Sequence, residues 1–216
     1  MQKIDKTALH RLSLDYKKWE EDLAANHSPH PRYYSSNGSF YKDIVMDLFR
    51  CQNGLCAYTE VRLCAPDFYD AKNWANGKYS NETAKHKGEL DHYDPDLKSK
   101  PKKTGTGTDW QWDNFFMIDS STNRDKKNKQ VVDFLKPDTA DYSPEKYFEY
   151  NKTLGKFFAK RDLAPATKAK VTEMLETLGI NHPTIVHHRK SAVAAYFEYG
   201  VPYDEFPTAI AFFAKK

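Results

Sequence analysis

The sequence predicts an α+β fold, with short strands and tight turns in the middle of the chain and helical segments at either end. Three observations carry that prediction. Near the start, Ile4, Ala8, Leu12, Tyr16, Trp19 and Leu23 follow the i, i+3, i+4 spacing of one helix face. In the middle, LCAYTEVRL alternates with few helix formers, and ELDHYDP reads as a short strand that stops at Pro95. Beyond about Thr153 the pattern is helical again. The chain therefore divides into an N-terminal helical segment (1–50), a core (51–137) and a C-terminal helical region (138–216).

Each element has a local reason. The first helix runs from about Ile4 to Leu23, and HSPHPRYYSSNGS breaks it. A second helix spans Phe40 to Arg50, with Ser39 as its N-cap. Asn53-Gly54 marks a turn into LCAYTEVRL, a strand or tight hairpin. Ala65 to Lys87 is polar and aromatic without a clear period. After ELDHYDP, DLKSKPKKTGTGTD is a basic, glycine-containing loop. WQWDNFFMID is compact and aromatic, and STNRDKKNKQVVDFL is a helix entered through a Ser/Thr cap. LKPDTADYSPEKYFEYN is irregular. Ala166 to Leu178 is a helix closed by Gly179, and a last helix runs from Thr184 to Tyr199.

Bulk properties exclude some classes of function. The 216 residues allow one domain of ordinary size, or a small core with helical additions. With 33 basic and 30 acidic residues the net charge is +3, so any case for nucleic acid rests on local clusters. No apolar run approaches the roughly 20 residues that span a bilayer. The start, MQKIDKTALHRLSLDYKKWEEDL, is charged throughout and lacks a signal-peptide centre, so a cytoplasmic location is expected, with no membrane partner. Three cysteines neither make a disulfide framework nor complete a four-cysteine zinc site.

The chemistry sits between Asp91 and Lys127. Asp91-His92 lies on a strand. Asn114 and Asn123 are nine positions apart, with Arg124, Lys126 and Lys127 behind the second. Phosphodiester cleavage needs a base for water and a hard cation for the charge on phosphate and leaving oxygen. Histidine suits the first role, because its ordinary pKa is about 6.5. Asp91 and Asn123 offer the oxygen ligands, and magnesium needs few from protein. Neighbours on a strand alternate faces, so Asp91 and His92 need a local twist to serve one centre.

These residues resemble the HNH endonuclease family. GLCAYTE is similar to its CxYCE element, LDHYDP to (D/E)HxxP, and WDNFFMIDSSTNRDKK to WxNLxxxCxxCNxxK with the same nine-residue gap. LKPDTADYSPEKYFEY and TLGINHPTIVHHRKSAV resemble a bacterial defence subgroup that includes the HNH partner protein of Septu-type and retron-linked anti-phage systems. The likeness covers roughly 40–195. It implies a β-β-α-metal core, His92 as general base, Asp91 and Asn123 as ligands of Mg2+ or Mn2+, and Asn114 as a brace for the loop that holds the histidine. It also implies phosphate contacts from Arg124, Lys126 and Lys127, a DNA substrate and an ATPase partner.

The sequence departs from the family at its zinc knuckle. The four corresponding places are Cys56, Thr59, Asp119 and Thr122, so no structural zinc is expected. Packing of Tyr58, Trp110, Trp112, Phe115 and Phe116 is expected to hold the two loops instead. Loss of the knuckle leaves a second reading open, a catalytically inactive nucleic-acid-binding or interaction module on the same scaffold. Glu60 and Glu89 flank the motif and are candidate acceptors for His92. Asp119 and Asp125 are alternative ligands. KSKPKK reads as a solvated run, TGTGTD as a linker, and His187-His188 as a polar helix face. The pairs Tyr147-Phe148 and Tyr196-Phe197 are candidate docking points for a regulator.

Overall fold

The computed structural model describes residues 1–7, 40–97, 111–200 and 205–215. It is a mixed α+β structure, with three small antiparallel hairpins among helices in the described residues. The first helix among the described residues, α1 (Phe40–Cys51), buries Ile44, Val45, Leu48 and Phe49. The Asn53-Gly54 turn ends it, both residues at positive φ. Glycine is required at 54, because a Cβ there would lie 2.4 Å from the Cys64 carbonyl oxygen. LCAYTEVRL is a tight loop and not a strand. It holds one bridge, Leu55 to Arg62, and Cys56 N–H donates to Val61 O at 2.8 Å.

Next come a one-turn helix α2 (Pro66–Tyr69) and a two-residue hairpin, β1 (Trp74–Ala75) with β2 (Lys78–Tyr79). The central hairpin is β3 (Gly88–His92) against β4 (Phe115–Asp119), paired Gly88 to Asp119 through His92 to Phe115. It leads directly into α3 (Ser120–Lys126). Gly88 lets this hairpin close on α1, since a Cβ there would sit 3.0 Å from the Phe49 ring. The outer edge of β4 is also paired. Gln52, fully buried, accepts from Met117 N–H at 2.9 Å and donates to Met117 O at 2.8 Å, where Ala57 N–H also donates. A buried edge left unpaired would cost about 1–3 kcal/mol per group.

The expected long helix after Asp119 stops at Lys126, because Lys127 takes a φ of 51°. The C-terminal region differs more. A short helix α4 (Pro144–Tyr147) enters a third hairpin, β5 (Phe148–Asn151) with β6 (Lys156–Ala159). This replaces the irregular and helical segments expected there. Phe148, Tyr150 and Phe157 alternate along it as a half-buried sheet requires, and Tyr150 faces Phe157 across the pair. α5 (Pro165–Thr177) and α6 (Pro183–Tyr199) match expectation, and Gly179 closes the first at a φ of 62°. A further helix, α7 (Pro207–Ala214), follows the one expected to be last.

The flanks are fastened to the middle. Residues 1–7 are not helical, which corrects the start of the first predicted helix; the rest of that helix lies outside the described residues. Ile4, buried, donates its N–H to Pro137 O at 2.9 Å. Lys6 is buried between Asp138, 3.0 Å away, and the Phe115 carbonyl. At the far end, Thr208 of α7 donates N–H and hydroxyl to the buried Glu60 carboxylate. Among the described residues no helix is long and apolar enough to cross a membrane.

Candidate active site

α3 lies against the face of β3 that carries Glu89 and Asp91, two residues apart and so on one side of the strand. Two helix residues three apart meet them. Asn123 Nδ2 donates to Glu89 Oε2 at 2.7 Å, and Lys126 Nζ to Asp91 Oδ1 at 3.0 Å. The same ammonium donates to the His92 carbonyl at 3.1 Å. Lys126 thus ties the helix to the end of the strand.

A cleft of about 470 Å³ opens beside this seam, lined by Glu89, Asp91, His92, Asn123, Arg124 and Lys127 among others. Asp91 and His92 both reach it. The His92 ring stands edge-on to Phe115, its cross-strand partner, at 5.4 Å. Asp91 is 3% exposed, and Tyr58 Oη donates to its second oxygen at 3.2 Å. Burial and the Asp91 charge push the Tyr58 phenol well above its ordinary pKa, so it remains a donor.

The other expected site residues divide. Arg124 and Lys127 are exposed on the rim and make no ion pair among the described residues. Lys126 is placed otherwise than a phosphate contact requires: it is 0% exposed and bound to Asp91. Asn114 does not line the cleft. Its side-chain oxygen accepts from Asp94 N–H at 2.7 Å and its amide donates to Asp94 O at 3.2 Å, which braces the loop just after His92. Glu60 binds Thr208 and Glu89 binds Asn123; neither has His92 as its partner in these contacts. His86, close to the motif in sequence, is not among the cleft residues; its ring lies 5.3 Å from Phe49. The basic run KSKPKK, TGTGTD and Trp110 lie outside the described residues.

Cys56, Thr59 and Thr122, three of the four places the resemblance aligns with a zinc knuckle, converge on the carboxylate of the fourth, Asp119. Asp119 Oδ2 accepts from Thr122 Oγ1 at 2.6 Å, Thr59 Oγ1 at 3.3 Å and the Cys56 thiol at 3.6 Å. Its Oδ1 accepts from the Ser121 and Thr122 N–H groups, each at 3.0 Å, and so caps α3. The cap is therefore Asp119, where a Ser/Thr cap was expected. Burial works to raise the Asp119 pKa, but bonds from Ser121, Thr122 and Cys56 outweigh it and hold the group below 3.8. Burial and the Asp119 charge push the Cys56 thiol up to about 11, which suits a donor to Asp119. The expected aromatic packing is also present: Tyr58, Trp112, Phe115 and Phe116 are all buried.

The residues fit a hard divalent cation that keeps most of its water. Among the described residues no group of three or more His, Cys, Asp or Glu comes together to hold a metal. What meets in the cleft is two carboxylates, Glu89 and Asp91, and the Asn123 amide, all oxygen donors. The Asn123 oxygen has no hydrogen-bond partner among the described residues, its nitrogen being held by Glu89.

No family model matches the chain, and no curated protein matches it.

Proposed function

We propose that this chain is a metal-dependent endonuclease of the HNH type that hydrolyses phosphodiester bonds in DNA. One observation carries the reading. Asp91, His92 and Asn123, spread over some thirty positions, line a single cleft whose rim holds Arg124 and Lys127, neither in an ion pair among the described residues. The order of hairpin β3–β4 followed by α3 supports this reading.

The roles follow from position. Arg124 and Lys127 hold the phosphodiester at the rim. His92, at the strand end and propped by Phe115, takes a proton from a water aligned with the phosphorus. The water oxygen bonds to phosphorus as the bond to the leaving 3′ oxygen breaks, and that oxygen then takes a proton from solvent. Asn114 fixes the loop beside the base. A bound Mg2+ or Mn2+, held by Asp91 and Asn123, would supply charge stabilisation to the phosphate and the leaving oxygen.

The test is nicking of supercoiled plasmid with and without Mg2+ or Mn2+, in parallel with a single-stranded RNA. Wild type is expected to nick DNA only with metal, and His92→Ala to lose at least about 100-fold while keeping its fold, the usual share of a general base. Equal cutting by His92→Ala would remove the base assignment.

One observation favours the second reading, a non-catalytic nucleic-acid-binding module: Asp91 is already ion-paired inside the protein. Such a module binds DNA with a salt-dependent affinity and never cuts it. The defence role and the ATPase partner rest on the motif resemblance. For a regulator, Tyr196 and Phe197 are each 41% exposed, whereas Phe148 of the other pair is buried. Co-purification with a neighbouring ATPase, against the chain alone, tests that part.

A further inference from the structure

Glu89 is the acidic residue of the cleft that the motif order assigns no role. It sits one strand repeat before Asp91, on the same face, and its carboxylate accepts from Asn123 Nδ2 at 2.7 Å. A carboxylate can accept only from the NH2 end of an amide, because the oxygen end would face it with like partial charge. The bond therefore decides which way the Asn123 amide points. An asparagine amide turns about a broad, nearly two-fold torsion, so without a partner its two ends exchange readily. A charge-assisted hydrogen bond is roughly twice as strong as a neutral one, enough to bias that choice. The end left over is the oxygen, the atom a cation needs.

We propose that Glu89 is a positioning residue: it holds Asn123 with the amide oxygen presented to a divalent cation in the cleft. The proposal rests on the metal-dependent reading above and adds one residue to it. Glu89 acts through Asn123 and not through His92. Its neighbour on the strand is locked by the equivalent contact one helical step on, Lys126 with Asp91, so the seam holds both ligand-bearing positions in register.

The experiment is Mn2+ binding measured calorimetrically without nucleic acid, on wild type, Glu89→Ala, Glu89→Gln, Asn123→Ala and the Glu89→Ala/Asn123→Ala pair. Glu89 is exposed, so its variants are expected to fold; circular dichroism confirms it. Glu89→Ala should weaken Mn2+ binding roughly 10–100-fold, the usual cost of losing a partner that orients a ligand. Glu89→Gln, whose amide oxygen can still accept, should recover much of that loss. The pair should bind no more weakly than Asn123→Ala alone. Wild-type affinity in Glu89→Ala, no Mn2+ binding by wild type, or losses that add in full would each overturn the proposal. Plasmid nicking on the same samples separates the two ideas. Mn2+ binding with the expected pattern but no cutting removes the nuclease reading alone; cutting with unchanged Mn2+ affinity in Glu89→Ala removes only this one.

Discussion

Lys126 Nζ lies 3.0 Å from Asp91 Oδ1, with the two side chains 1% and 3% exposed. Two ions out of water must satisfy each other, and here the Tyr58 hydroxyl and the His92 carbonyl complete the set. Removing one partner strands the other. Lys126→Met is therefore expected to cost about 3–5 kcal/mol in urea unfolding. Asp91→Asn in the Lys126→Met background should recover part of that, since the stranded charge is gone. A neutral Lys126→Met would show that the seam is held by something else.

Asp119 gathers the side chains of Cys56, Thr59 and Thr122. It caps α3 and links that helix to the Cys56–Thr59 loop. Asp119→Asn keeps the shape and loses the charge, and it should cost about 1–3 kcal/mol through the cap and the buried hydroxyls. The native carboxyl lies below its ordinary 3.8, so its contribution is present above the unfolded value and lost as pH falls through the native one. The stability gap between wild type and Asp119→Asn should accordingly be widest near neutrality and shrink below about pH 4. A gap independent of pH would mean that the charge contributes nothing.

These contacts mark what was legible in the sequence. α1, α5 and α6 were, because helical spacing and the Gly179 stop are local signals. That Asp91, His92 and Asn123 line one cleft was legible from the motif order. The β5–β6 hairpin was missed because Phe148, Tyr150 and Phe157 alternate over only four residues a strand, too few to outweigh helix-forming neighbours. The role of Lys126 was missed because burial of a lysine depends on a carboxylate thirty-five positions away, which no local pattern announces. Asp119 as the meeting point of Cys56, Thr59 and Thr122 shared that fate, although a D-x-x-T step into a helix is a legible cap signal.

The cysteines should be silent in the native protein. Burial and the Asp47 charge push Cys51 up to about 12, burial and Asp119 push Cys56 to about 11, and burial pushes Cys64 to about 11. Iodoacetamide at pH 8 should label none of the three natively and all three in denaturant, read by intact mass. Because these values are raised, the stability tied to them is intact below the unfolded thiol value of about 8.5 and lost as pH climbs past it. Rapid native labelling of Cys56 would mean that the Asp119 corner opens.

Arg124 and Lys127 differ from Lys126 in a way that binding can read. Both are exposed at the cleft rim without an ion pair among the described residues, while Lys126 is enclosed. If rim cations meet phosphate, each releases condensed counterions on binding. Arg124→Ala and Lys127→Ala should then each lower the slope of log affinity against log salt by about 0.9 on duplex DNA. They should leave stability within about 0.5 kcal/mol, as surface changes do. Lys126→Met should show the reverse, a large stability loss with an unchanged slope in the fraction that remains folded. A slope that falls for Lys126→Met and holds for the other two would place the phosphate path inside the seam, against the burial of that ammonium.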